Sequence, residues 1–151
     1  MTPMGRVAAV WRPVVTEVIR DRIDEGVPTW LPVHGRSMWP LLEDGTRILV
    51  VPSTRIRFGD LLAYACEGAI VCHRVIWRQG VALMTRADHG GAGAERVRPD
   101  QIVGVVAALE RRGAVVDLTR PGRRAQAVAR ATRSLAACVW ATARRLPWRR
   151  V

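Results

Sequence analysis

Ile70-Val71-Cys72-His73-Arg74-Val75-Ile76-Trp77-Arg78-Gln79-Gly80-Val81-Ala82-Leu83-Met84-Thr85 reads as two β-strands joined by a tight turn. Apolar and branched residues fill both runs, and Arg78-Gln79-Gly80 supplies turn chemistry between them. The same texture extends outward from about residue 30 to 109. Residues 47–51, 61–64 and 102–106 are further short, apolar, mostly branched runs. Glu43-Asp44-Gly45, Phe58-Gly59-Asp60, Glu67-Gly68 and Gly90-Gly91 punctuate them as turns. One more strand is expected over residues 114–118. Many short strands at this spacing predict a mainly β, antiparallel domain.

Both flanks change period. Val7, Val10, Trp11, Val14, Val15, Val18, Ile19 and Ile23 recur at helical spacing over residues 6–25, with Pro13 either starting or kinking the helix and Gly26-Val27-Pro28 ending it. From Pro121 on, Ala125, Val128, Ala129, Thr132, Leu135, Ala136, Val139, Trp140, Ala143 and Leu146 form one apolar stripe, and Pro147 closes it. The chain therefore divides into an N-terminal helical segment (1–29), a β domain (30–119) and a basic amphipathic helical tail (120–151). No internal repeat is visible.

Charge separates the tail from the rest. The 151 residues hold 24 arginines, no lysine and 13 acidic residues, a net charge of +11. After Asp117 no acidic residue follows, whereas nine arginines do. Such a helix suits peripheral contact with an anionic membrane, or docks on its own domain with a solvated basic face. Nucleic acid is not expected as a partner, because no DNA-reading module accompanies the arginines. With no apolar run of 18 residues, no transmembrane span and no secretory leader are expected, which predicts a protein that is cytoplasmic or peripheral at the membrane. Cys66, Cys72 and Cys138 are too few for a disulfide framework and suggest a reducing compartment. The spacing of Cys66, Cys72, His73 and His89 matches no zinc pair motif, so neither metal nor cofactor is expected.

The chemistry centres on Ser37 in His34-Gly35-Arg36-Ser37-Met38-Trp39-Pro40-Leu41-Leu42. A serine hydroxyl needs a base to take its proton. With lysine absent, histidine is the natural choice. His34 is three residues before Ser37 on the same approach segment, and His89 lies in a Gly-rich stretch. His73 lies in a strongly β-forming run that can hold it rigidly. A carboxylate should orient its imidazole, and Asp88 follows the next strand across the hairpin.

These residues resemble the boxes of type I signal peptidases. Gly35-Arg36-Ser37-Met38-Trp39-Pro40-Leu41-Leu42 is similar to the nucleophile box, and Phe58-Gly59-Asp60-Leu61-Leu62-Ala63-Tyr64 to the Gly-Asp box before the base-bearing strand. Val71-Cys72-His73-Arg74-Val75-Ile76 resembles the base box in its histidine form, that of the archaeal and endoplasmic-reticulum type. Thr85-Arg86-Ala87-Asp88-His89-Gly90 is similar to the downstream box, and Ile102-Val103-Gly104-Val105-Val106 to the closing strand. They stand in the family's order over about residues 30–110. Ala87 departs from the usual glycine, and Gly35 from the usual hydroxyl residue, which removes a side-chain donor to the oxyanion.

The resemblance implies a signal-peptidase/LexA-like antiparallel β fold, here with flanking amphipathic helices and without an anchor. It implies peptide-bond cleavage through an acyl-enzyme, with Ser37 as nucleophile and His73 as base. Asp88 matches one position for the third member; the other falls at Ala94, with Glu95 beside it as the reserve. Gly35, Met38 and Trp39 are expected at the substrate, with Trp30 and Trp39 on an apolar rim. A preprotein or precursor peptide is the expected substrate. The alternative is a catalytically inactive regulatory or binding domain on the same scaffold, as in the repressor branch.

Overall fold

The computed structural model describes residues 13–52, 55–89 and 93–144. The expected helical positions before Pro13, the Gly90-Gly91 turn, Leu146 and Pro147 lie outside these residues. The elements run α1 (Pro13–Asp24), β1 (Thr29–Pro32), β2 (Arg47–Val51), β3 (Leu61–Cys66), β4 (Ala69–Gln79), β5 (Ala82–Arg86), β6 (Glu95–Val97), a short 3-10 turn at Pro99–Gln101, β7 (Ile102–Arg111), β8 (Ala114–Asp117) and α2 (Pro121–Ala143). All strand pairs are antiparallel, in the order β1-β2-β7-β3-β4-β5-β6, with β8 added along β7. The sheet curls into a half-barrel with a helix at each end, as expected from the sequence.

Alternation along the strands divides the core between two faces. On β3, Leu61 and Ala63 join a cluster with Ile23, Met38, Leu42 and Cys72. Leu62 and Tyr64 join the opposite one with Val71, Val75, Leu83 and Val97. Burial on both faces is why the central strands read as nearly continuous apolar runs. The Glu67-Gly68 turn has positive φ at both residues (49° and 75°), the hairpin geometry that fixes the β3–β4 register. That register places Leu62 opposite His73 and Tyr64 opposite Val71.

Helix α1 lays Ile19 and Ile23 into the first cluster and ties Thr16 Oγ1 to the Gly68 carbonyl at 3.1 Å. Val14 and Val18, expected on its apolar side, face outward. Gly26, at φ 86°, ends the helix, with Val27 N–H reaching back to the Arg22 carbonyl.

Helix α2 packs on β4, but not through its apolar stripe. The docked side carries Arg124, Ala127, Ala131 and Ser134. Ala131 is fully buried, Arg124 pairs with Asp60, and Arg86 Nη1 donates to the Ser134 carbonyl at 3.2 Å. A Cβ on Gly59 would lie 3.1 Å from the Ala127 backbone, so glycine permits this close approach.

Candidate active site

Residues 34–42 form a loop pinned on both sides of Ser37. Gly35, at φ 93°, donates its N–H to Asp44 Oδ1 at 2.7 Å. Trp39 N–H reaches the Arg36 carbonyl at 3.1 Å and Leu42 N–H the Met38 carbonyl at 2.9 Å. The Trp39-Pro40 peptide is cis. Met38 is buried in the first core cluster, which corrects its expected place at the substrate: its thioether is packing, and it accepts the Asp88 N–H at 3.4 Å. Trp39 is exposed and meets His89 edge to face. Trp30 is half-buried beneath the Arg47 guanidinium. His34 is exposed.

Ser37 accepts the His89 N–H on its backbone carbonyl at 2.8 Å. This bond sets the loop beside the segment that leaves β5, the neighbour of β4. The Ser37 Oγ is buried and has no hydrogen-bond partner among the described residues. A Ser37–His73 hydrogen bond is therefore not made in this structure.

His73 sits in the buried centre of β4. Its Nδ1 is 2.9 Å from Tyr64 Oη and 3.5 Å from Glu95 Oε2. Tyr64 Oη in turn donates to Glu95 Oε2 at 2.5 Å and receives the Thr85 hydroxyl at 3.5 Å. A phenol has one proton, and Glu95 takes it, so the Tyr64–His73 contact requires His73 Nδ1 to be the donor. Nε2 is then left with its lone pair, the tautomer that accepts a proton. The hydrogen bond from His73 is the largest influence on Glu95; with that from Tyr64 it holds the carboxyl below the usual carboxylate range, against partial desolvation. Burial above all, and then the Glu95 carboxylate, push the Tyr64 hydroxyl well above the usual phenol range, so it stays protonated.

Asp88, expected at the imidazole, is held elsewhere. Its carboxylate takes a two-point contact from Arg74, Nε to Oδ1 at 2.7 Å and Nη2 to Oδ2 at 2.5 Å. Arg74 also donates to the Gly59 carbonyl at 2.9 Å, and its side chain is 1% exposed. Strand parity accounts for the exchange. Arg74 lies opposite Arg86, and Asp88 is two residues further on the same face. Val75 lies opposite Thr85, and Thr85 opposite Glu95, which puts Glu95 on the His73 face.

The structure thus brings His73, Glu95 and Tyr64 together and separates Asp88 from them. Tyr64 was missed from the sequence, although the Glu67-Gly68 turn contains the signal: counting back through that hairpin sets it diagonal to His73. Asp60 shapes its turn as expected, accepting the Arg57 N–H at 2.7 Å. Cys66, Cys72 and Cys138 are free thiols, and burial pushes the Cys72 thiol up to about 12, which leaves it inert as a nucleophile.

A family model described as Peptidase S24-like matches residues 15–107, well over half of the chain. The chain belongs to the Peptidase S24-like family. The S24-like match takes in Ser37, Tyr64, His73, Asp88 and Glu95, and carries a serine-peptidase-like fold. No curated protein matches the chain. Among the described residues of this S24-like protein, no helix is long and apolar enough to cross a membrane.

Proposed function

We propose that this S24-like protein is a serine endopeptidase of the histidine-using signal-peptidase kind, acting on a preprotein or precursor peptide. Ser37 Oγ attacks the peptide carbonyl, forming the C–O bond of a tetrahedral intermediate, while His73 Nε2 takes the hydroxyl proton. The imidazolium returns that proton to the departing amine as the C–N bond breaks. Water then attacks the Ser37 ester by the reverse path, releasing the acid and regenerating the hydroxyl. Glu95 stabilises the imidazolium, and Tyr64 holds the ring by its Nδ1–H. With Gly35 lacking a hydroxyl, backbone N–H groups must receive the oxyanion, and one such donor is worth about 3 kcal/mol.

The observation that carries this reading is the Tyr64–His73–Glu95 cluster, which commits Nδ1 as donor and leaves Nε2 as base. The unpartnered, buried Ser37 Oγ favours a second reading, an inactive regulatory or binding domain. Catalytic hydrogen bonds are often unmade in a free enzyme and tighten with substrate, so the first reading accommodates the same observation. A peptide library incubated with the protein, with new termini located by mass spectrometry, separates the two. Cleavage abolished by Ser37→Ala and slowed roughly 10²–10⁴-fold by His73→Ala is expected. Absence of cleavage supports the inactive domain, and cleavage unchanged in Ser37→Ala contradicts Ser37 as the nucleophile.

A further inference from the structure

Helix α2 docks through one side and leaves an apolar one facing outward. At about 100° per residue, Ala125, Thr132, Ala136, Val139 and Ala143 fall on one flank of the docked side. Arg123, Arg133 and Arg144 fall on the other, where Arg130 instead reaches back to Asp88 Oδ2 at 4.0 Å. Val139 is 62% exposed and Trp140, toward the back of the helix, 63% exposed, with Arg144 stacked 5.0 Å above the indole. The docked side is already filled by Arg124, Ala127 and Ala131 against the sheet. No acidic residue occurs anywhere from Leu118 to the end of the sequence.

We propose that the outward apolar flank of α2 docks on an anionic phospholipid bilayer, lying in the plane of the interface. A bilayer satisfies both halves of the surface at once: acyl chains receive Val139 and the Trp140 ring, and lipid phosphates receive the arginines. The phosphates of a nucleic acid would meet the arginines but leave the apolar flank without a partner. A second copy of the chain would bring two helices without a single carboxylate against each other, and their arginine flanks would repel. The indole with its stacked guanidinium suits headgroup depth, where one side is apolar and the other wet. This docking does not depend on the peptidase reading, because its test involves no turnover.

The full chain is floated with vesicles of phosphatidylcholine containing phosphatidylglycerol, and with vesicles of phosphatidylcholine alone. Flotation with the anionic vesicles only, weakened by salt, is expected. In Val139→Asp/Trp140→Asp the bound fraction falls by roughly tenfold or more, while the circular dichroism spectrum is unchanged. Both positions are exposed, so these variants keep the fold. Arg133→Glu/Arg144→Glu lowers binding to anionic vesicles in the same way. The proposal is overturned if the protein stays out of the floated fraction at low salt, or if the Val139/Trp140 variant floats as well as wild type. Self-association lost in that variant without any flotation, or binding to duplex DNA without any flotation, also overturns it.

Discussion

His73 and Arg74 are neighbours on β4 with opposite fates. One turns to Tyr64 and Glu95, the other to Asp88. Two carboxylates near the end of β5 are thereby sorted into different tasks. Asp88 neutralises a buried guanidinium, and its side chain is 7% exposed. Glu95, with a side chain 48% exposed, meets the imidazole from the rim. The two substitutions should therefore fail differently. Glu95→Gln is expected to lower the cleavage rate by roughly 10²-fold with a near-wild-type melting temperature, since the ring loses the carboxylate that faces the charge it gains during the reaction. Asp88→Ala leaves Arg74 buried without its carboxylate and is expected to cost about 3 kcal/mol in denaturant unfolding. Rate loss in Asp88→Ala at full stability, with Glu95→Gln at full rate, would restore Asp88 as the orienting group. Because folding lowers the Glu95 pKa, its contribution to stability is complete above the ordinary carboxylate range and is lost as pH falls through the lowered value. Glu95→Gln should remove that part of the acid dependence.

At the scale of elements, the strands with strong apolar texture were legible in the sequence. The hairpin at Glu67-Gly68 announces its own register; the one at the end of β4 does not, because a bulge between Val75 and Trp77 shifts the pairing by one residue. β1 and β6 were not separately legible, for a physical reason. Each is only three or four residues long and lies at an edge of the sheet, where one partner strand defines it rather than its own propensity. Missing β6 hid the place of Glu95, because only its pairing with β5 carries residue 95 back to the His73 face. The centre of the sheet depends on one glycine that the sequence left among branched residues. A Cβ on Gly104 would lie 2.5 Å from the Val51 carbonyl oxygen and 2.8 Å from Val50 Cγ1. Backbone on one side leaves it no room, so β7 and β2 would have to part. Gly104→Ala is expected to destabilise the domain by about 1–3 kcal/mol, read as a lower urea midpoint, whereas Gly113→Ala, with open space around it, should lose only what its positive φ costs. Equal losses at the two positions would contradict close packing at β2–β7.

At the scale of the molecule, the helix–β domain–helix order was legible in the changes of period. The seating of α2 was not. Its apolar stripe pointed to one docked face, but the turn before β3 offers Asp60 and the Gly59 backbone, and so selects Arg124 and Ala127 instead. Periodicity reports which residues share a side, not which side a neighbour will take. The fold holds His73 on a rigid strand and Ser37 in a pinned loop, and the proposed reaction requires the two to meet. The most direct measurement is to quench the protein in acid during turnover of a cleaved peptide and locate covalent acyl adducts by mass spectrometry. An ester on Ser37 is predicted, absent in Ser37→Ala and formed roughly 10²–10⁴-fold more slowly in His73→Ala. Peptide turnover that continues in Ser37→Ala, or an acyl group carried by any other residue, would contradict it.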